Sequence, residues 1–216
     1  MAHRRTGRPS AFLLSPASCS GKRAEILVRE QAAFDLARRL GAGGVPLGEA
    51  FNFLSGLYFR GKLGYARAFA GEGGIVRVIT TSRGLERPET IVRREDLLEF
   101  ASVPIDPADP RYRLPLDETL RALEKQVGPE GRVVLLGSIA TGKYVDLLIA
   151  RFGERLLFPS AFVGRGDMSR GGLMLRAVLE GEELGYAPVL GATRHGPRPP
   201  KLVPIRWKQQ PQRSAG

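Results

Sequence analysis

RVVLLGSIATGKYVDLLIARF, Arg132–Phe152, is the stretch whose reading decides the fold. The apolar run VVLL at 133–136 reads as a buried strand, and the segment from about 142 to 151 reads as a helix. The turn between them, Gly137–Lys143, has the glycine and lysine spacing of a phosphate-cradling P-loop. Amide groups at such a helix start point toward an anion. Three features oppose a triphosphatase. Tyr144 stands where the motif places a Ser or Thr for magnesium, the unit comes late in the chain, and no later apolar strand ends in Asp. The alternative is a tight strand–helix turn.

Other units of the same kind lie on both sides. A short apolar run over 10–17 reads as a first strand, and helical spacing of Leu27, Phe34, Ala37 and Leu40 predicts a helix over 22–40. A second helical region spans 47–70, and Gly56, Gly61 and Gly64 weaken one straight helix there and favour its division. The β-branched run IVRVITT follows, then a turn or two of helix at 96–100. Four prolines predict a long connection over 102–116, and a helix is expected over 117–127. Beyond the opening stretch come a strand at 154–158, a loop at 159–172, a helix at 173–180 and a last strand at 186–190. Strands alternating with helices give an α/β fold: one three-layer domain with a mostly parallel sheet flanked by helices. The domain is expected over 10–191, after a basic lead-in at 1–9 and before a basic, proline-rich tail at 192–216.

Charge is concentrated at the ends. Five basic residues and no acid fall in 1–24, six basic residues and no acid in 191–216, and together these account for the whole net charge of +11. Such ends suit DNA or RNA as a partner, or serve as solubilising tails. No apolar run is long enough for a bilayer, so no membrane partner is expected. A single cysteine excludes an internal disulfide framework and fits a reducing, cytoplasmic compartment. With two histidines and that one cysteine the usual zinc sites cannot be built; no metal site and no cofactor is identified.

In an open parallel sheet ligands bind beyond the carboxyl ends of the strands. Four loops are selected: 15–23, 80–83, 137–143 and 159–172. In the first, Ser18, Ser20, Lys22 and Arg23 are candidate ligands for a small phosphorylated molecule, and a helix start near Lys22 would lower the thiol pKa of Cys19, a candidate nucleophile. The second supplies Arg83, the third Ser138, Thr141 and Lys143. The fourth supplies Arg165, Ser169 and Arg170 as phosphate ligands, with Asp167 as an acid/base candidate or an N-cap. The stretch YFRGKLGYAR, Tyr58–Arg67, interleaves aromatics and cations as nucleic-acid surfaces do. At helical spacing the aromatics instead form core and the cations a solvated face.

Three of these segments together carry a family resemblance: LSPASCSGKR at 14–23, GLYFRGKLGYARAF at 56–69 and VITTSRGL at 78–85. They resemble a set of bacterial proteins similar to the uracil-DNA-glycosylase-like α/β fold, which also includes a domain of archaeal tRNA-modifying enzymes. The chain lacks the water-activating and histidine-containing motifs of uracil glycosylases. The resemblance therefore supports the fold more than base excision, and it carries no catalytic residue over. The expected function is a nucleic-acid-associated protein acting on a nucleobase or nucleotide. The alternatives are a P-loop-like enzyme of nucleotides or phosphometabolites, and a non-catalytic interaction protein.

Overall fold

The structure is a computed structural model and describes residues 11–202. The basic lead-in at 1–9 and the tail beyond 202 lie outside the described residues.

The first strand, β1 (Ala11–Leu14), is buried along its whole length. Two helices follow, α1 (Lys22–Val28) and α2 (Asp35–Ala42), where one helix was expected. The break falls at Arg29, whose extended backbone ends α1. A two-residue strand, β2 (Val45–Pro46), leads into α3 (Leu47–Ser55) and α4 (Leu57–Phe69). These two helices divide at Gly56, whose φ of +60° a side chain would oppose. Then come β3 (Ile75–Ile79), the short strands β4 (Leu85–Glu86) and β5 (Ile91–Val92), and α5 (Arg94–Ser102).

The proline-bearing segment is not one long connection. Helix α6 (Pro110–Val127) starts within it: Asp109 accepts the backbone N–H of Arg111 as N-cap, and Pro110 takes the first helical position, where its missing N–H has no partner to lose. The opening stretch is β6 (Val133–Leu136) and α7 (Gly142–Phe152). Strand β7 (Leu156–Pro159) follows a single 3₁₀ turn, and α8 (Asp167–Glu180) begins six residues before the expected Leu173. Strand β8 (Tyr186–Pro188) ends the sheet.

The six-stranded sheet has the order β4-β3-β1-β6-β7-β8. Strands β3, β1, β6 and β7 are parallel, while β4 and β8 run antiparallel at the two edges. A second sheet pairs β2 with β5. From β1 the chain moves one way to β3, and from β6 the other way to β7. Right-handed crossovers therefore set α4 and α7 on opposite faces, giving three layers. The sheet's order reverses between β1 and β6, the position where doubly wound sheets open a crevice. Leu14 is in register with both Val78 and Leu136, so Ser15 and Gly137 leave the sheet side by side.

Burial holds this arrangement. Phe12, Phe51, Phe59, Tyr65, Tyr112 and the Val and Leu residues of β1, β6 and β7 are almost wholly removed from water. Each large apolar side chain contributes roughly 1.5–3 kcal/mol. Phe12 on β1 meets Tyr65 on α4 edge to face, with ring centroids 5.9 Å apart. Helix α8 packs on α4 through two glycines. A Cβ on Gly61 would stand 2.7 Å from the Gly171 carbonyl oxygen, and one on Gly171 would stand 2.7 Å from that of Leu57.

Candidate functional site

The loops that follow β3, β1, β6 and β7 all leave the same edge of the sheet, because those strands are parallel. Three of them meet in a cleft of about 590 Å³. Ser18, Cys19 and Ser20 come from the loop after β1, Thr81 from the turn after β3, and Lys143 from the first turn of α7; the far wall is the end of α5 with Val103–Ile105. Thr81 donates its hydroxyl to the Phe100 carbonyl at 2.7 Å, tying the β3 turn to α5. Lys143 is exposed and makes no ion pair among the described residues.

Beneath this edge lies a polar cluster built around Lys62. Its side chain is fully buried, and its ammonium nitrogen donates to the Ser15 carbonyl oxygen at 2.6 Å, with the Ser15 hydroxyl at 2.9 Å. It also stands 4.4 Å above the Tyr58 ring and 4.9 Å above that of Phe59. Burial pushes its pKa down to about 7, against the opposing field of Asp167. The neighbouring Gly137 keeps the space open. A Cβ there would lie 3.0 Å from the Tyr144 hydroxyl and 3.1 Å from Ser15 Oγ. The Tyr144 hydroxyl donates to the Ser138 carbonyl at 2.9 Å. Tyr58 has a buried hydroxyl with no hydrogen-bond partner among the described residues. Fields from Arg170 and Asp167 reach both Tyr58 and Tyr144. A buried amine without a carboxylate in contact, facing hydroxyls at the sheet's switch point, has the character of a functional group.

The residues singled out from the sequence fall into three groups. Ser18, Cys19, Ser20 and Lys143 share the cleft. Asp167 and Arg170 reach the Lys62 cluster instead: α8 begins at Asp167, and Arg170 Nε donates to the Phe162 carbonyl at 3.2 Å. The remainder are turned elsewhere. Lys22 is exposed, and Arg23 donates to the Phe53 carbonyl at the end of α3, at 3.3 Å. Arg83 is held between Asp96 and Glu99, lies against the Phe100 ring, and keeps the Glu99 carboxyl below its ordinary range. Ser138 Oγ accepts the Ala140 N–H at 3.3 Å, and Thr141 precedes α7 without a capping side-chain bond. Arg165 donates to the Ala161 carbonyl, to Ser169 and to the Pro200 carbonyl, so it fastens the tail rather than facing the cleft.

Cys19 differs from expectation in its chemistry. Burial pushes the thiol up to about 12, where a helix start had been expected to lower it. Helix α1 has only seven residues and no side-chain cap, and its lysine and arginine face away or solvent. Lys62 differs too. On the aromatic and cationic helix Arg60 and Arg67 are exposed as the periodicity predicts, but Lys62 is core. Its signal was available in the sequence: Tyr58, Tyr65 and Ala66 lie four before, three after and four after it, which puts Lys62 on the apolar stripe.

Among the described residues no group of acids, histidines and cysteines is arranged to hold a metal ion. No helix among them is long and apolar enough to cross a membrane. No family model, no curated protein and no solved structure matches the chain.

Proposed function

We propose that the chain binds a phosphorylated nucleobase ligand, either a nucleotide or a nucleotide within RNA or DNA, at the carboxyl end of its sheet. The observation that carries this reading is the meeting of three strand-end loops in one cleft beside the switch between β1 and β6. Its volume, about 590 Å³, is in the range of small-molecule sites. Lys143, exposed and without an ion pair among the described residues, offers a cation to a phosphate and the Ser18 and Ser20 hydroxyls offer hydrogen bonds, while Val103, Pro104 and Ile105 give an apolar wall for a base. The basic ends support a polyanion. Arg198 and Lys201 are exposed, and the remaining end cations except Lys22, Arg23 and Arg194 lie outside the described residues.

The likeness to the uracil-DNA-glycosylase-like fold and a cytoplasmic location belong to this proposal. A triphosphatase at Gly137–Lys143 has less in its favour, because the buried Tyr144 turns its hydroxyl back onto the Ser138 carbonyl. The test is fluorescence anisotropy with short labelled RNA and DNA strands over a salt series, together with thermal shift with AMP and ATP, each with and without magnesium. Binding that weakens steeply with salt is expected, as is a nucleotide-induced rise in Tm that Lys143→Ala removes. No retention on either nucleic acid at low salt, with no shift by either nucleotide, overturns the reading.

A further inference from the structure

We propose that Ser15 and Lys62 form a nucleophile–base pair that opens carboxylic esters through an acyl-Ser15 intermediate. This goes beyond ligand binding in the cleft and does not depend on it. The geometry is that of a serine–lysine dyad: Ser15 Oγ lies 2.9 Å from Lys62 Nζ, within proton-transfer reach. The hydrogen bond to the Ser15 carbonyl at 2.6 Å fixes the amine, so that both of its protein acceptors belong to the one residue it would activate. No carboxylate holds the nitrogen as a permanent ammonium in an ion pair among the described residues. Ser15 is the first residue beyond β1, at the sheet's switch point, and keeps 6% of its surface exposed.

The surroundings suit an uncharged electrophile. Tyr58, Phe59 and Tyr144 are buried around the pair. The Tyr58 hydroxyl lies beside Arg170, which can only donate to it, so its own proton can go to an oxygen that gains charge. Arg170 and the exposed Asp167 stand at the start of α8, where their fields reach these phenols.

The step balances without a further cofactor. Ser15 Oγ bonds to the ester carbonyl carbon, its proton passes to the neutral Lys62 amine, and the carbonyl electron pair moves onto oxygen. Collapse breaks the bond to the alcohol oxygen, which leaves with the proton from Lys62. Water then repeats the sequence on the acyl-Ser15, releasing the acid and restoring the hydroxyl. The titratable and charged groups around the amine are Asp167 and Arg170 on α8, Tyr144 on α7 and Tyr58 on its own helix; of these the Asp167 field favours the ammonium, and burial favours the amine.

The test treats the full chain with an alkyl fluorophosphonate, which forms an Oγ–P bond as fluoride leaves, and locates the adduct by peptide mapping. A single adduct on Ser15 is expected. Its rate should rise between about pH 6 and 8 and fall by about 10²-fold in Lys62→Met. A burst of about one equivalent of 4-nitrophenol from 4-nitrophenyl acetate, lost in Ser15→Ala, is the companion readout. An unmodified Ser15 in the wild-type chain overturns the proposal whether or not the variants fold, and so does equal labelling of Lys62→Met.

Discussion

Lys62 Nζ lies between the carbonyl and hydroxyl oxygens of Ser15, 2.6 and 2.9 Å away, in a side chain with no exposed surface. Two dipoles do not offset the desolvation of an ammonium, so burial carries the pKa from 10.5 down to about 7. Stability follows with a definite sign. Between pH 7 and about 10.5 the unfolded chain holds a proton that the folded chain lacks, so this group makes stability rise with pH across that window. Below pH 7 both states are protonated and its penalty is constant. Urea unfolding at pH 7, 8 and 9 should give a wild-type curve that gains on Lys62→Met by about 1 kcal/mol per pH unit. Parallel curves would show that Lys62 titrates normally.

The phenols predict the opposite trend at higher pH. All five tyrosines, Tyr58, Tyr65, Tyr112, Tyr144 and Tyr186, have pKa values pushed up, with burial as the leading cause. Tyr186 is raised further because its hydroxyl meets Tyr65 at 2.7 Å and donates to the Glu183 carboxylate at 2.8 Å. Above about pH 10 the unfolded chain loses phenolic protons that the folded chain keeps, so stability falls as pH rises there. A spectrophotometric titration should show almost no tyrosinate at about pH 10.5, then one cooperative step that coincides with loss of the far-ultraviolet circular dichroism. A gradual rise starting at pH 10 in the folded protein would contradict the burial of these rings.

Cys19 provides a third measurement. A thiol pushed up from 9.0 to about 12 holds about 10³-fold less thiolate than an ordinary one at the same pH. Iodoacetamide at about pH 8 should alkylate native Cys19 some 10²–10³-fold more slowly than the urea-unfolded chain. Comparable rates would return Cys19 to the list of candidate nucleophiles.

The fold was legible where period and apolarity agree. Val133–Leu136, Ala11–Leu14 and Ile75–Ile79 are short apolar runs between turns, and all three became neighbouring parallel strands. Legibility failed where a local rule met a tertiary one. The prolines at 110 and 115 argue for a loop, yet Asp109 as cap and the burial of Tyr112 and Leu116 make that segment helical. The candidate site was half legible. The strand-end rule found the loops that form the cleft, because parallel strands send their loops to one edge. It could not find the direction in which Arg23 and Arg83 turn, since Phe53, Asp96 and Glu99 are remote in sequence from one or the other. Nor could it promote Lys62, whose charge pointed to solvent while its position pointed to core.

The segment at 159–172, expected as a loop, enters helix α8 at Asp167, and the packing of its glycines yields the last prediction. Gly171 is helical, and its missing side chain serves packing, not backbone freedom. A Cβ there would press on the Leu57 carbonyl oxygen at 2.7 Å and on Tyr58 Cα at 2.9 Å; the reciprocal Cβ on Gly61 would meet Gly171 backbone at 2.7 and 2.9 Å. Backbone cannot swing aside as a side chain can, so the two helices must part. Alanine would gain about 1 kcal/mol of helix propensity at either position. Overpacking costs roughly 1–3 kcal/mol and should win. Gly64, with only one side-chain atom near at 3.8 Å, is the internal control on the same helix. Gly61→Ala and Gly171→Ala should each lower stability by about 1–2 kcal/mol, whereas Gly64→Ala should raise it slightly. Because α8 carries Asp167 and Arg170 to the Lys62 cluster, the two destabilised variants should also raise the proteolytic sensitivity of residues near 160–170, which limited proteolysis with mass mapping reads directly. Equal stabilisation by alanine at all three glycines would mean that α4 and α8 do not touch through Gly61 and Gly171.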